Sequence, residues 1–206
     1  MKFYLSSFRL GDASDQLAAM TPYGRIGYIN NALDFSSADL KRKKAHTERE
    51  LGELRALGLR AELVDLSEYF AETDALAERL NELGAVFICG GNAFVLRQAM
   101  MLSGMDEFLL NLEVGSDFLY AGYSAGPCVL SPTLRPYAIV DDATDTPYDG
   151  WDEVIWEGLN LLDFAFMPHW DSDHPESADI EKEIAFCERE GIPYRAVRDG
   201  DVIIIE

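Results

Sequence analysis

Short apolar runs alternate with longer amphipathic stretches along the whole chain. The short runs predict strands, and the stretches with apolar residues every three or four positions predict helices. Strands are expected at residues 3–5, 25–29, 61–66, 85–89, 117–121 and 162–167. Helices are expected at residues 36–57, 73–83, 94–102, 106–112 and 176–190. The run 85–89 is apolar throughout, which is typical of a parallel strand buried on both faces.

Local sequence signals place the ends of several elements. Ser36 or Ser37 can cap the first long helix, and Thr73 can cap the next one. An Asp-Gly pair at 199–200 separates two strand-like segments, which predicts a closing β-hairpin. Strands that alternate with helices imply a three-layer α/β fold with a mostly parallel sheet between the helices. No repeat and no linker rich in Pro, Gly or Ser divides the chain, so residues 1–206 are expected to form a single domain.

The chain has 206 residues and a strongly acidic balance, with 17 Lys and Arg against 37 Asp and Glu and a formal net charge of −20. This charge repels phosphates and anionic headgroups, which argues against nucleic-acid and membrane partners. No apolar run approaches the ~20 residues that cross a bilayer, and the first residues become polar too soon for a signal peptide. Three cysteines do not suggest a disulfide framework. We expect a cytoplasmic protein, and a homodimer is one oligomeric state that these features allow.

One candidate nucleophile stands in a characteristic pattern. Residues 122–126 read Gly-Tyr-Ser-Ala-Gly and directly follow a predicted strand, as in the strand-to-helix turn that exposes a nucleophilic serine. We call this segment the Ser124 turn. Its glycines would let the strand and helix backbones pass closely, and the Ala125 N–H could donate to an oxyanion. An ordinary glycine-rich turn around a buried serine explains the five residues equally well.

A second glycine turn, at Gly90, Gly91 and Asn92, follows the apolar run 85–89. Open α/β sheets bind ligands where the carboxyl ends of their strands meet, so the two turns are expected to be neighbours. Gly90 or Gly91 could then supply a second oxyanion donor. A phosphate-binding turn and a simple helix cap by Asn92 are the alternatives, although neither common nucleotide-binding glycine motif is present.

Three histidines are candidates for the base that a serine nucleophile needs. His46 lies among Lys, Arg and Glu residues on a predicted solvated helix face, which argues against a catalytic role. His169 follows the apolar strand 162–167 and is expected at the same sheet edge as the glycine turns, where it could act as the base. A partly buried structural imidazole is the alternative for His169 and the favoured interpretation of His174.

Three motifs together carry a resemblance to a known family. Residues 90–96 (Gly-Gly-Asn-Ala-Phe-Val-Leu), the Ser124 turn and residues 168–170 (Pro-His-Trp) occur in the order seen in dipeptidase E-like serine peptidases, which include aspartyl dipeptidase and cyanophycinase. The resemblance covers most of residues 85–206. It implies a fold similar to class I glutamine amidotransferases, which carry a cysteine where this chain has Ser124. Cys89 and Cys128 lie beside the motifs and are interpreted as small buried apolar residues.

The resemblance also implies a mechanism. The family's triad falls on Ser124, His169 and Asp199, and it implies hydrolysis of small peptides through an acyl-enzyme without a metal or organic cofactor. Asp171 and Asp173 compete with Asp199 for the role of the acid because they are closer in sequence to His169. A catalytically weak protein that binds a small ligand, as a sensor for example, is the alternative function on the same fold.

This sequence departs from the family pattern at one position that concerns the choice of substrate. In aspartyl dipeptidase the helix after the histidine carries a basic residue that reads the acidic side chain of the substrate, and this chain has Ile180 at the matching place. Arg135, in the motif-linked segment 131–135, is the nearest candidate for a replacement cation. A strong preference for aspartyl substrates is therefore not expected.

Residues 141–157 contain seven acidic residues and no Lys or Arg. A calcium-binding loop fits poorly, because its third and twelfth positions would fall on Pro147 and Trp156. The segment instead predicts a solvated loop and short helix at the mouth of the site, which could repel anionic substrates or select cationic N-termini.

Overall fold

The expected alternation of strands and helices is present in the structure, a computed structural model that describes residues Met1–Glu206. The strands are β1 (Lys2–Ser6), β2 (Arg25–Ile29), β3 (Arg60–Leu63), β4 (Ala85–Ile88), β5 (Leu119–Tyr123), β6 (Ala165–Met167), β7 (Tyr194–Ala196) and β8 (Val202–Ile205). The helices are α1 (Ser14–Met20), α2 (Leu40–Ala56), α3 (Thr73–Leu83), α4 (Ala93–Ser103), α5 (Met105–Leu110), α6 (Ala125–Cys128) and α7 (Ser177–Glu190). Short 3₁₀ helices cover Pro22–Gly24, Asn31–Leu33, Leu66–Tyr69 and Arg135–Ile139.

Six strands form the central sheet in the order β3-β2-β4-β5-β1-β8. All neighbouring pairs are parallel except β1 and β8, which are antiparallel. Every residue of β4 and β5 is buried, as is expected where helices cover both faces of a parallel sheet. The prediction of a three-layer α/β fold with a mostly parallel sheet is therefore confirmed. No helix combines the length and the apolar character that crossing a bilayer requires.

The strand–turn–strand segment predicted at the C-terminus is present, and its two strands pair with different neighbours. β7 runs parallel to β6 in a separate two-stranded sheet, whereas β8 lies antiparallel to β1 at the edge of the main sheet. In this second pairing Val202, the first residue of β8, lies opposite Ser6, the last residue of β1. The turn that contains Asp199 therefore reaches the carboxyl edge of the sheet.

Two of the predicted helix caps are wrong. Asp39 caps α2, because its carboxylate accepts hydrogen bonds from the Lys41 and Arg42 N–H groups. Ser36 instead donates to the carboxylate of Asp145 through both its N–H and its hydroxyl, so it ties two loops together. Thr73 is the first residue of α3, and its side chain does not cap that helix.

The backbones of β4, β5 and α6 pass unusually close to one another. A Cβ atom at Gly122 would lie 2.6 Å from the Ile88 carbonyl oxygen, and one at Gly126 would lie 2.9 Å from it. Real Cβ contacts are longer than this, so only glycine fits at either position. The expectation that both glycines of the Ser124 turn permit close passage of strand and helix is confirmed.

We expect Gly122→Ala to lower the free energy of unfolding by about 1–3 kcal/mol, because the added methyl group must displace the backbone of β4. The matched control is Gly52→Ala in the exposed face of α2, where nothing lies within 4 Å of the added Cβ. That substitution should stabilise the protein by roughly 0.5–1 kcal/mol through helix propensity. Urea unfolding followed by circular dichroism measures both changes, and equal effects of the two substitutions would contradict the close packing described here.

Candidate functional site

The carboxyl ends of three strands of the central sheet, and that of β6 in the small sheet, bring the candidate residues to one cleft. Ser7 follows β1, Gly90 follows β4, Ser124 follows β5, and His169 comes two residues after β6. The cleft, of about 450 Å³, is lined by Gly90, Gly91, Ser124 and His169 together with several acidic side chains. This volume lies within the ~300–1,000 Å³ range of small-molecule sites.

Ser124 has an unusual backbone conformation, with φ of 51° and ψ of −112°. A non-glycine residue adopts such angles at a cost of about 1–3 kcal/mol, so the surrounding packing must hold it there. The Ser124 N–H donates to the Ser6 carbonyl oxygen at 3.3 Å, and the side chain does not cap α6. The turn places Ser124 in the wall of the cleft.

His169 forms a hydrogen-bonded pair with Asp199. The His169 Nδ1 atom lies 2.7 Å from Asp199 Oδ1, and the imidazole is only 2% exposed. An Nδ1–H that donates to a carboxylate leaves Nε2 as the acceptor, which is the tautomer that a general base requires. The structure thus brings His169, bonded to Asp199, into the cleft that Ser124 lines.

Ser7 links both members of this pair, and the sequence analysis missed it. Its hydroxyl donates to Asp199 Oδ1 at 2.8 Å and accepts from the His169 N–H at 2.8 Å. Ser7 is fully buried, although it is polar. The pair of serines that follows the apolar strand 3–5, of which Ser7 is the second, was the available signal, because that strand end also belongs to the ligand-binding edge.

Burial is the largest influence on the pKa of His169 and lowers it below the ordinary value of 6.5. The hydrogen bond to Asp199 raises the pKa and opposes this effect, while the neighbouring His174 lowers it further. The net result is a neutral imidazole at pH 7. A neutral imidazole can accept a proton, as a base must.

The two competing acids do not contact the imidazole. Asp171 forms an ion pair with Arg198 and is exposed. Asp173 is also exposed and forms no ion pair. Of the three candidate acids, Asp199 is therefore the one whose carboxylate is bonded to His169.

His174 lies flat against His169, with ring centroids 3.7 Å apart and ring planes 12° from parallel. The ring of Phe8 approaches both imidazoles, at centroid distances of 5.9 Å from His169 and 5.6 Å from His174. The stack fixes the plane of the His169 ring. His169, His174 and Glu176 also offer donor atoms within 4.8 Å of one another, which is the spacing of a metal-binding group.

The expectation that His46 lies on a solvated face is wrong. His46 lines the cleft, and its Nε2 atom is 3.0 Å from the hydroxyl of Tyr123 in the Ser124 turn. Burial, together with the charges of Arg49 and Arg9, lowers the pKa of His46 to about 4. Its neighbour Glu50, one helical turn further on, is almost fully buried. The inward spacing of His46 and Glu50 on α2 was a signal that the surrounding charges obscured.

The second glycine turn lies beside Ser124, as expected. Gly91 has φ of 146°, and a Cβ atom there would lie 2.3 Å from the Ala32 carbonyl oxygen. Asn92 caps α4 by accepting from the Phe94 and Val95 N–H groups, so its side chain serves the helix. Ala125 follows Ser124 directly and begins α6.

Arg135 is not part of the cleft. Its side chain is exposed, and its guanidinium lies over the ring of Trp156 at 4.9 Å from the centroid. Neither Lys nor Arg lines the cleft at all. The structure therefore does not bring a candidate cation to the substrate site.

The acidic segment 141–157 differs from its expected form, because it contains no regular helix and is only partly solvated. Asp141 lines the cleft and accepts a hydrogen bond from the Ala93 N–H at 2.8 Å. Burial raises the pKa of Asp141 to about 7. Asp142, Asp145 and Glu176 also line the cleft, which is therefore acidic.

Comparison with known proteins agrees with this arrangement. The curated peptidase E of Streptomyces coelicolor is 29% identical over 208 residues, which cover 92% of this chain and 79% of that protein. An uncharacterized peptidase of Listeria monocytogenes is 31% identical over 122 residues, which cover 58% of this chain and 55% of that protein.

Solved structures share the fold. A crystal structure described as a candidate peptidase E protein from Listeria monocytogenes EGD-e superposes with a TM-score of 0.71 at 21% identity, covering 100% of this chain and 98% of that one. A peptidase from an acI-B1 actinobacterium superposes with a TM-score of 0.62 at 14% identity, covering 89% of this chain and 74% of that one.

The model of peptidase family S51 matches residues 34–206, which include the Ser124 turn, His169 and Asp199. The chain therefore belongs to peptidase family S51.

Proposed function

We propose that this peptidase hydrolyses small peptides through an acyl-enzyme formed on Ser124. The observation that carries the proposal is the 2.7 Å bond between His169 Nδ1 and Asp199 Oδ1, because His169 lines the same cleft as Ser124. The cleft volume of about 450 Å³ supports a substrate of a few residues. The relative named peptidase E supports the same class of reaction.

The residues divide the chemistry among them. His169 accepts the hydroxyl proton at Nε2 as Ser124 Oγ bonds to the carbonyl carbon, and the carbonyl electron pair moves to its oxygen. Backbone N–H groups at Gly91 and Ala125 stabilise this oxyanion. When it collapses, the C–N bond breaks and the amine leaves with the proton from His169. Water then repeats the sequence on the acyl-enzyme, while Asp199 stabilises the imidazolium formed at each stage.

Ser124→Ala should reduce kcat by several orders of magnitude, because no other group in the proposal can form the acyl bond. The free energy of unfolding should change little, since the hydroxyl does not cap α6. Labelling with a serine-directed fluorophosphonate should also be lost. Turnover by Ser124→Ala within about tenfold of wild type would exclude Ser124 as the nucleophile. A wild-type protein that binds peptides without turnover would favour the alternative of a ligand-binding protein.

Asp199→Asn should lower kcat by about 10³–10⁴-fold, because an amide neither fixes the required tautomer nor stabilises the imidazolium. Asn suits the same turn, so the C-terminal strands should remain folded. Asp171→Asn is the matched control, because its carboxylate pairs with Arg198 instead. Near-normal kcat in Asp199→Asn with a collapse in Asp171→Asn would reverse the assignment.

The pH profile should reflect the buried imidazole. Only neutral His169 acts as a base and its pKa is lowered, so kcat/KM should begin to fall with acid below pH 6.5. The Asp199 carboxylate raises the pKa of His169, and Asp199→Asn should therefore move this acid limb to still lower pH. An acid limb that moves to higher pH in the variant would contradict the assignment of His169 as the titrating base.

A further inference from the structure

A narrow pocket opens from the cleft beside Ser124, and we call it the side pocket. It shares Gly91, Ser124, Asp141 and Glu176 with the cleft, whereas Glu183 lines the side pocket only. The remaining lining residues, which include Ile180 and Cys128, are mostly apolar. Its free space is on the order of one water molecule. A group that enters it from the cleft therefore lies next to the carbonyl that Ser124 would attack.

Glu183 is buried in the side pocket without a partner. Its side chain is 2% exposed, and its Oε2 atom is fully enclosed with no hydrogen-bond donor in the protein. The hydroxyl of the neighbouring Tyr137 is already bonded to Ser131 and to the Phe166 carbonyl oxygen. A buried carboxyl group without a donor is costly, and such groups are rare in folded proteins.

Three carboxyl groups converge on the side pocket, from two different parts of the chain. Asp141 comes from the acidic segment, Glu176 precedes α7, and Glu183 lies on α7, while neither Lys nor Arg lines the pocket. Burial, with the charges of Asp141, Glu176 and Asp179, raises the pKa of Glu183 to about 9. A positive group between the carboxylates would offset the repulsion among them and favour the charged form of Glu183.

We propose that the side pocket binds an ammonium group of the substrate residue whose carbonyl Ser124 attacks. This inference rests on the proposed function, because that function defines which carbonyl group of the substrate faces Ser124. An ammonium group is about the size of a water molecule and carries only donors, which matches the space and the unpartnered acceptor of Glu183. A planar guanidinium with five donors is too large for the same space. Ile180, in the wall of the pocket, provides no charge for an acidic side chain.

The ammonium can be the α-amino group or the end of a lysine side chain, and four simple amides separate these sources. Lysinamide carries both groups, norleucinamide only the α-amino group, 6-aminohexanamide only the terminal one, and hexanamide neither. Binding is measured by isothermal titration calorimetry to the intact Ser124→Ala protein, so that no turnover interferes. We expect at least one singly charged amide to bind about tenfold or more tighter than hexanamide. Hexanamide has no ammonium group, so it would leave the buried carboxyl group of Glu183 unpaired.

The same titrations with Glu183→Gln added identify the residue responsible. In this variant the preferred charged amide should bind no more than about twofold tighter than hexanamide. Glu190→Gln is the matched control, because it removes one carboxylate from the same helix at an exposed position paired with Arg189. Equal binding of the four amides, or a preference that survives Glu183→Gln, would overturn the proposal.

A stability measurement covers the case in which Glu183→Gln folds poorly. Glu183→Leu replaces an unpartnered carboxyl with an apolar side chain of similar volume and should raise Tm in the absence of ligand. The wild type should gain Tm with the preferred amide, and the Leu variant should not. A variant that loses Tm and still responds to the amide would show that Glu183 is structural and would overturn the proposal.

Failure of this inference is distinguishable from failure of the proposed function. Fluorophosphonate labelling of the wild type reports on Ser124 alone and does not require the side pocket. Fluorophosphonate labelling together with equal binding of the four amides would overturn the proposal for the side pocket and leave the proposed function intact. Selective amide binding without labelling or hydrolysis would support the side pocket and contradict the acyl-enzyme.

Discussion

The carbonyl oxygen of Ile88 lies where β4, β5 and α6 pass one another, and the geometry of the site depends on this contact. Gly122 and Gly126 both face that oxygen, so the chain can turn sharply between them and hold Ser124 in its unusual conformation. The same closeness brings the second glycine turn beside the first. Close packing of the backbone, together with the hydrogen bond from the Ser124 N–H to the Ser6 carbonyl oxygen, thus holds the serine in place.

Much of this arrangement could be predicted from the sequence because it depends on local patterns. The apolar runs locate the strands, and the parallel strands β4 and β5 end at one edge, which brings the two glycine turns together. The strand before His169 was expected in the same sheet, but β6 pairs with β7 in a separate one, and His169 still reaches the cleft. The prediction that Asp199 is the acid of the triad required both the Asp-Gly turn, which locates it between two strands, and the family resemblance, which suggests its role. The helix α1 was missed because it is seven residues long and buries only Leu17, so it has almost no periodic signal.

What could not be predicted arises from contacts between distant segments. The charged neighbours of His46 suggested solvent, yet one face of α2 packs against Tyr123 and partly buries the imidazole. The acidic segment similarly looked solvated, although Asp141 is bound to the Ala93 N–H and faces the cleft. Burial of an acid depends on what the tertiary fold places over it, and composition alone does not carry that information.

The Ser7 bridge joins the first strand of the sheet to the turn before the last one. Ser7 and Asp199 are 192 positions apart in the chain, so their contact closes the longest loop among the side-chain hydrogen bonds described here. Contacts of such sequence separation carry a large loop-closure entropy and form late unless other contacts have already brought the strands together. A partly folded chain in which β8 has not docked lacks the oriented imidazole, and the ordered His169–Asp199 pair is therefore a reporter of completed folding.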